Sequence, residues 1–149
     1  MKKKENPAKT FLRRYRALSG RVDALTVAIN QAMERAENIT VQLKEVSVLS
    51  SPAEPDPMAR DICSAVDACA ILYRVKAEAE EALREILTAI DSVQDERQKT
   101  VLTMRYINGE PFLKIAERLY LSEPAIYIAH GRALLSINRW MALHGYAET

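Results

Sequence analysis

The chain has 149 residues, 48% hydrophobic and 28% charged, a size that supports one domain or a small domain with an extended element. Four glycines and two phenylalanines, set against abundant Ala, Leu, Glu and Arg, point to an all-α protein. No apolar run approaches the roughly eighteen residues of a membrane span, so no membrane contact is expected, and the net charge of +1 conceals a strong segregation.

Residues 1–21 carry eight Lys or Arg against one Glu, a net +7; residues 22–94 carry six against thirteen acids, a net −7; residues 95–149 carry seven against six, a net +1. The basic end therefore reads as an electrostatic hook for a polyanion. Its first seven residues form a tail. Met1 to Lys4 run into charged, heptad-like sequence rather than an apolar core, so a secretory leader is not expected and the location expected is cytoplasmic.

From Phe11 the apolar or small residues recur as Phe11, Tyr15, Leu18, Val22, Leu25, Ile29, Ala32, Ala36, Ile39, Leu43 and Val46, in alternating steps of four and three. Such spacing is a coiled-coil seam. Residues 47–57, SVLSSPAEPDP, hold three prolines and end that helix. A second seam follows through Ile62, Ala65, Cys69, Leu72, Lys76, Ala79, Leu83, Ile86, Ile90 and Val93.

Folding the chain back at the loop pairs large with small: Ala32 with Leu72, Ala36 with Cys69, Ile39 with Ala65, Leu25 with Ala79, and Val22 with Leu83. The expectation is a long antiparallel helical hairpin over residues 8–93, roughly 50 Å long at 1.5 Å per residue. Lys76 interrupts the seam and either snorkels past Ile29 or marks register. Apolar residues off the seam, among them Leu12, Val27, Val41, Val66, Ile71, Tyr73, Val75 and Leu87, require a second surface. The C-terminal helices and a second copy of the chain are the two candidates for it.

Residues 94–149 read as a separate domain of three short helices. The first, near 95–108, opens on two acids that suit the positive end of a helix dipole and stops at Asn108-Gly109. Pro111 opens the second, which carries Leu113, Ile115, Ala116 and Leu119 and ends near Tyr120-Leu121. Ser122 is a ready N-cap for the third, with Glu123 in its first turn and apolar residues on through Ala133, Leu134, Ile137, Trp140 and Met141. Two helices joined across so short a turn are a helix-turn-helix, with Ala116 small where they cross.

The ordered set Val93-x-Asp95, Arg97, Val101-Leu102, Arg105-Tyr106-Ile107-x-Gly109, Ile115-Ala116-x-x-Leu119, Ser122, Ile126 and His130-x-x-Ala133-Leu134 resembles region four of the sigma-70 class of transcription factors. The likeness is nearer still to the sigma-like regulators encoded by phages and prophages, and it covers about a third of the chain. Phe11-Leu12-Arg13-Arg14-Tyr15-Arg16-Ala17-Leu18, followed by a long helix, looks like the front half of those proteins. The resemblance implies a DNA-binding transcription regulator whose partners are double-stranded DNA and, as a second candidate, RNA polymerase. Self-association through the hairpin as a homodimer or larger homo-oligomer is expected beside it.

On that reading Lys114, Arg118, Ser122, Tyr127 and Arg132 are the candidate phosphate contacts, and Glu123 can accept from a cytosine amino group. Where the family carries glycine in the turn this chain has Tyr120, which must take a left-handed conformation or reshape the turn. The groove-facing positions become Ser122, Glu123, Pro124, Tyr127, Ile128 and Gly131. None is Arg, Lys, Asn or Gln, so direct base readout is expected to be thin.

Two other functional classes fit the same pattern. A protein-interaction module could retain the sigma-like fold without reading DNA, and a phage packaging component of the small terminase kind also joins a helix-turn-helix to helical hairpins. An enzyme is not expected, because no phosphate-binding glycine loop and no nucleophile with a His-acid pair is present. No cofactor is expected, and no metal: Cys63 and Cys69 are spaced for helix packing, and His130 and His144 have no cysteine or acid cluster beside them.

Overall fold

The computed structural model describes residues 3–46 and 57–146, and among them all regular structure is helical. Helix α1 (Pro7–Val46) starts at a side-chain cap, Asn6 Oδ1 accepting from the Ala8 amide at 3.0 Å, with Pro7 in the turn where its missing N–H costs nothing. Helix α2 (Pro57–Asp91) likewise opens on a proline. The loop expected at 47–57 lies outside the described residues except for Pro57.

Helix α3 (Glu96–Leu102) is capped by Asp95, whose Oδ1 accepts from the Gln98 amide at 2.9 Å. The expected single helix over 95–108 is in fact two pieces. After Leu102 the chain widens into a π-turn, Thr103–Ile107, closed by the Asn108 amide donating to Thr103 O at 3.1 Å. The turn seats Met104 and Tyr106 inward, and the chain leaves it through Gly109 at φ 72°. Helix α4 (Phe112–Leu119) follows Pro111, and α5 (Glu123–Leu143) follows Ser122.

The chain divides into two compact units, and the division falls within the long helices: one unit takes the chain up to Ser19 and from Glu81 onward, the other is Gly20–Glu80. In the first unit a core of Ala8, Phe11, Leu12, Ile86, Ile90 and Val93 packs with Leu102, Tyr106, Leu134, Ile137 and Trp140. Thus the first turns of α1 and the last of α2 are built into the same body as α3–α5. Leu12, an off-seam residue in need of a surface, finds it here and is fully buried.

In the unit Gly20–Glu80 the seam positions Val22, Leu25, Ala32, Ala36 and Ile39 on α1 and Ile62, Ala65, Cys69, Leu72 and Lys76 on α2 are half-buried, and so are Thr26, Ala28, Val75 and Glu80 off the seams. Only Ile29 and Ala79 pass into full burial among the described residues of this unit. Lys76 reaches along its own helix to Glu80 Oε1 at 3.7 Å, so its stem lines the seam while its charge meets a carboxylate. Val27, Val41, Val66, Ile71 and Tyr73 remain exposed, as does Leu87 in the first unit.

Candidate nucleic-acid interface

Helices α4 and α5 are joined through Tyr120, Leu121 and Ser122, and each of the three residues has a local reason to be where it is. Tyr120 adopts φ 55°, ψ 42°, the left-handed conformation that glycine enters freely and tyrosine does not. Its side chain is 95% exposed, so nothing but the backbone bonds of the turn holds it there: the Leu121 amide donates to Ala116 O at 3.0 Å. Ser122 caps α5, its hydroxyl oxygen accepting from the Ala125 amide at 3.3 Å.

Inside the pair a second core gathers Val101 and Met104 with Ile115, Ala116, Ile126 and Ala129, closed by Phe112, Leu119 and Leu121. The small side chain of Ala116 sits in this core, as expected of a crossing residue. The first core continues along the lower half of α5 through Ala133, Leu134, Ile137 and Trp140. Burial on one side of α5 thus leaves the other side outward for its whole length.

The residues named as DNA contacts fall on the outer surfaces of these two helices. Lys114 and Arg118 are exposed one turn apart on α4, and Glu123, Tyr127 and Arg132 are exposed on α5. Ser122 is exposed at the head of α5, its oxygen committed to the cap. Arg118 is not a free cation: its Nη1 lies 3.1 Å from Glu110 Oε1. The other oxygen of that carboxylate, Oε2, is buried without a hydrogen-bond partner among the described residues. Tyr127 rests its ring 4.8 Å from that of Phe112, which stiffens it.

Arg105, Tyr106 and His130 stand in the motif set of the sequence, but their pairing with one another and with Phe112 has no signal there. His130 is buried on the inner side of α5 with its Nε2 2.8 Å from the Tyr106 hydroxyl, and its ring meets Phe112 edge-on. Burial first, then the charges of Lys9, Arg105 and Arg13, push the imidazole down to about 4, so it is neutral and can accept from the tyrosine. Burial also raises the Tyr106 phenol. Arg105 lies over the Phe112 ring at 4.3 Å and donates to Glu110 O at 3.2 Å, fixing the segment that opens α4.

The first turns of α1 come to the same place. Lys9 and Arg13 are near enough to act on His130, and the Arg16 guanidinium lies against Gly109 so closely that a Cβ there would stand 2.2 Å from its Nη1. Asn138 on α5 donates to Asn6 Oδ1 at 3.1 Å, tying the start of α1 to the same helix. Basic residues far away in sequence are therefore brought into the same unit as α5, with Arg13 ion-paired to Glu5 as Arg118 is to Glu110.

The outward side of α5 is apolar where a base-reading helix is polar: Tyr127, Ile128 and Leu135 are each more than half exposed. Among the described residues no group of three or more His, Cys, Asp or Glu side chains could hold a metal ion, and no helix is long and apolar enough to cross a membrane. No protein-family model, curated protein or solved structure matches the chain.

Proposed function

We propose that this protein is a DNA-binding transcription regulator of the phage or prophage type, with α4 and α5 as a sigma region-four-like helix-turn-helix and α5 in the major groove. The observation that carries the reading is the seating of the basic start of α1 in the unit of α4 and α5, with Arg16 against Gly109 and Asn6 bonded to Asn138 of α5. A near-neutral reading head supplies little phosphate attraction alone, and the basic turns of α1 supply the rest. Lys114 and Arg132 add phosphate contacts from the head itself; Glu123, exposed at the N-terminus of α5, is the side chain suited to a cytosine amino group. In residues 20–80, α1 and α2 pair antiparallel as a hairpin arm. The half-buried seams support that pairing, as does the Tyr73 hydroxyl contact to Met33 Sδ at 3.2 Å.

Duplex binding measured across a salt series tests this. Each phosphate that the protein ceases to neutralise lowers the slope of log affinity against log salt by about 0.9. Replacing Lys9, Arg13 and Arg16 together by Gln is expected to cut the slope by up to two such steps, about equally on all sequences, since Arg13 is already paired with Glu5. Glu123→Ala is expected to change which sequences are preferred. An unchanged slope in the triple variant, or no duplex binding at low salt, overturns the proposal.

A second reading is favoured by the apolar outer side of α5. Leu113 on α4 and Tyr127, Ile128 and Leu135 on α5 are exposed together in the same unit, a pattern suited to protein contact. On this reading the sigma-like head binds RNA polymerase or another protein. Ile128→Lys then abolishes partner binding and leaves the salt slope on DNA unchanged or steeper.

A further inference from the structure

Helix α2 carries a second heptad stripe besides its seam. Ala59, Cys63, Val66, Ala70, Tyr73 and Ala77 follow one another in steps of four, three, four, three and four, and every one of them is exposed. Val66 and Tyr73 are each about half exposed, an apolar surface that a solvated helix face does not need. Along one border of the stripe Arg60, Asp67 and Arg74 stand seven residues apart with alternating sign. None of these three has an ion pair among the described residues.

The pattern is self-complementary when one α2 runs antiparallel to another. With Ala70 placed over the partner's Tyr73 and Val66 over the partner's Ala77, small meets large at each layer. In that same register Asp67 stands opposite the partner's Arg74, and the two-fold axis repeats the pair. Sliding the helices by one heptad sets Asp67 against the partner's Asp67 and Arg60 against the partner's Arg74, so charge rejects the competing register. We infer that the Ala59–Ala77 stripe of α2 is the surface on which a second copy of this chain docks, antiparallel, about a two-fold axis between Ala70 and Tyr73. This deepens the expected self-association and rests on α1 and α2 being packed through their seams, which leaves the stripe outward.

The test reads mass, without DNA, so its outcome is independent of whether the chain binds a duplex. Sedimentation of the full chain is expected to give a dimer. Asp67→Arg alone converts two attractive pairs into two repulsive ones and is expected to raise the dissociation constant roughly tenfold or more; Arg74→Asp alone does the same. Joining the two changes restores opposite charges and returns the constant toward that of the parent. Val66→Lys yields monomer. Circular dichroism on each variant checks that helicity is kept, as it is expected to be at exposed positions. A parent chain that sediments as a monomer, a ring of many copies, or a double variant no tighter than the singles overturns the inference.

Discussion

The same heptad pattern runs through both units, yet it produces two different kinds of interior. In Gly20–Glu80 the seam positions are half-shielded, and among the described residues only Ile29 and Ala79 become fully buried. In the other unit the same two helices end against α3, the π-turn and α5, and Phe11, Leu12, Ile86, Ile90 and Val93 vanish from solvent. A pair of helices can cover only one stripe of each other, whereas further helical segments close the flanks. The depth of the core is therefore a property of the number of neighbours and not of the repeat.

One substitution made twice on α1 breaks or sustains that comparison most directly. Leu12→Ala empties a fully buried site and is expected to cost about 2–5 kcal/mol in thermal or denaturant unfolding. Leu25→Ala, at a half-buried seam position, is expected to cost about 1 kcal/mol, because solvent already reaches the site. Equal losses at the two positions show that the units do not differ in depth.

A deep core can also hold a group that prefers water. His130 titrates near 4 in the folded chain and near 6.5 when exposed, so between those values the unfolded chain binds the additional proton. Its contribution is fully present above about pH 6.5 and is lost as pH falls towards 4, at up to about 1 kcal/mol per pH unit. Unfolding followed across this window is expected to show the loss, and His130→Phe to flatten it. The same slope in the variant assigns the acid sensitivity to other groups.

The smallest effect concerns the turn. Tyr120 holds a left-handed backbone with its side chain in solvent, so Tyr120→Gly relieves strain and forfeits no buried contact. Offset by the greater freedom of glycine in the unfolded chain, the expected gain is about 0.5–1 kcal/mol. A loss in melting temperature instead indicates that the tyrosine is held by something beyond its backbone.

Much of this architecture is legible in the residues. The seam positions whose burial is described are all shielded on α1 and α2, and Asp95, Pro111 and Ser122 mark where three helices begin, because caps and prolines act through their immediate neighbours. Ala116 is recognisable as a crossing residue for the same reason of local size. The candidate site is only partly legible. Lys114, Arg118, Glu123, Tyr127 and Arg132 are outward as their helical phase requires, but the ion pair of Arg118 with Glu110 depends on how the start of α4 folds back.

Local periodicity and capping thus determined the helices, where α3, α4 and α5 start and which stripe of the long helices is apolar, since those follow from interactions a few residues long. Tertiary structure alone decided that the π-turn at Thr103–Ile107 would seat Tyr106 against His130, that Arg16 would lie over Gly109, and that the long helices would be divided between two units. Each of those joins residues far apart in sequence. Packing selects among the many surfaces that the same amphipathic stripes could cover.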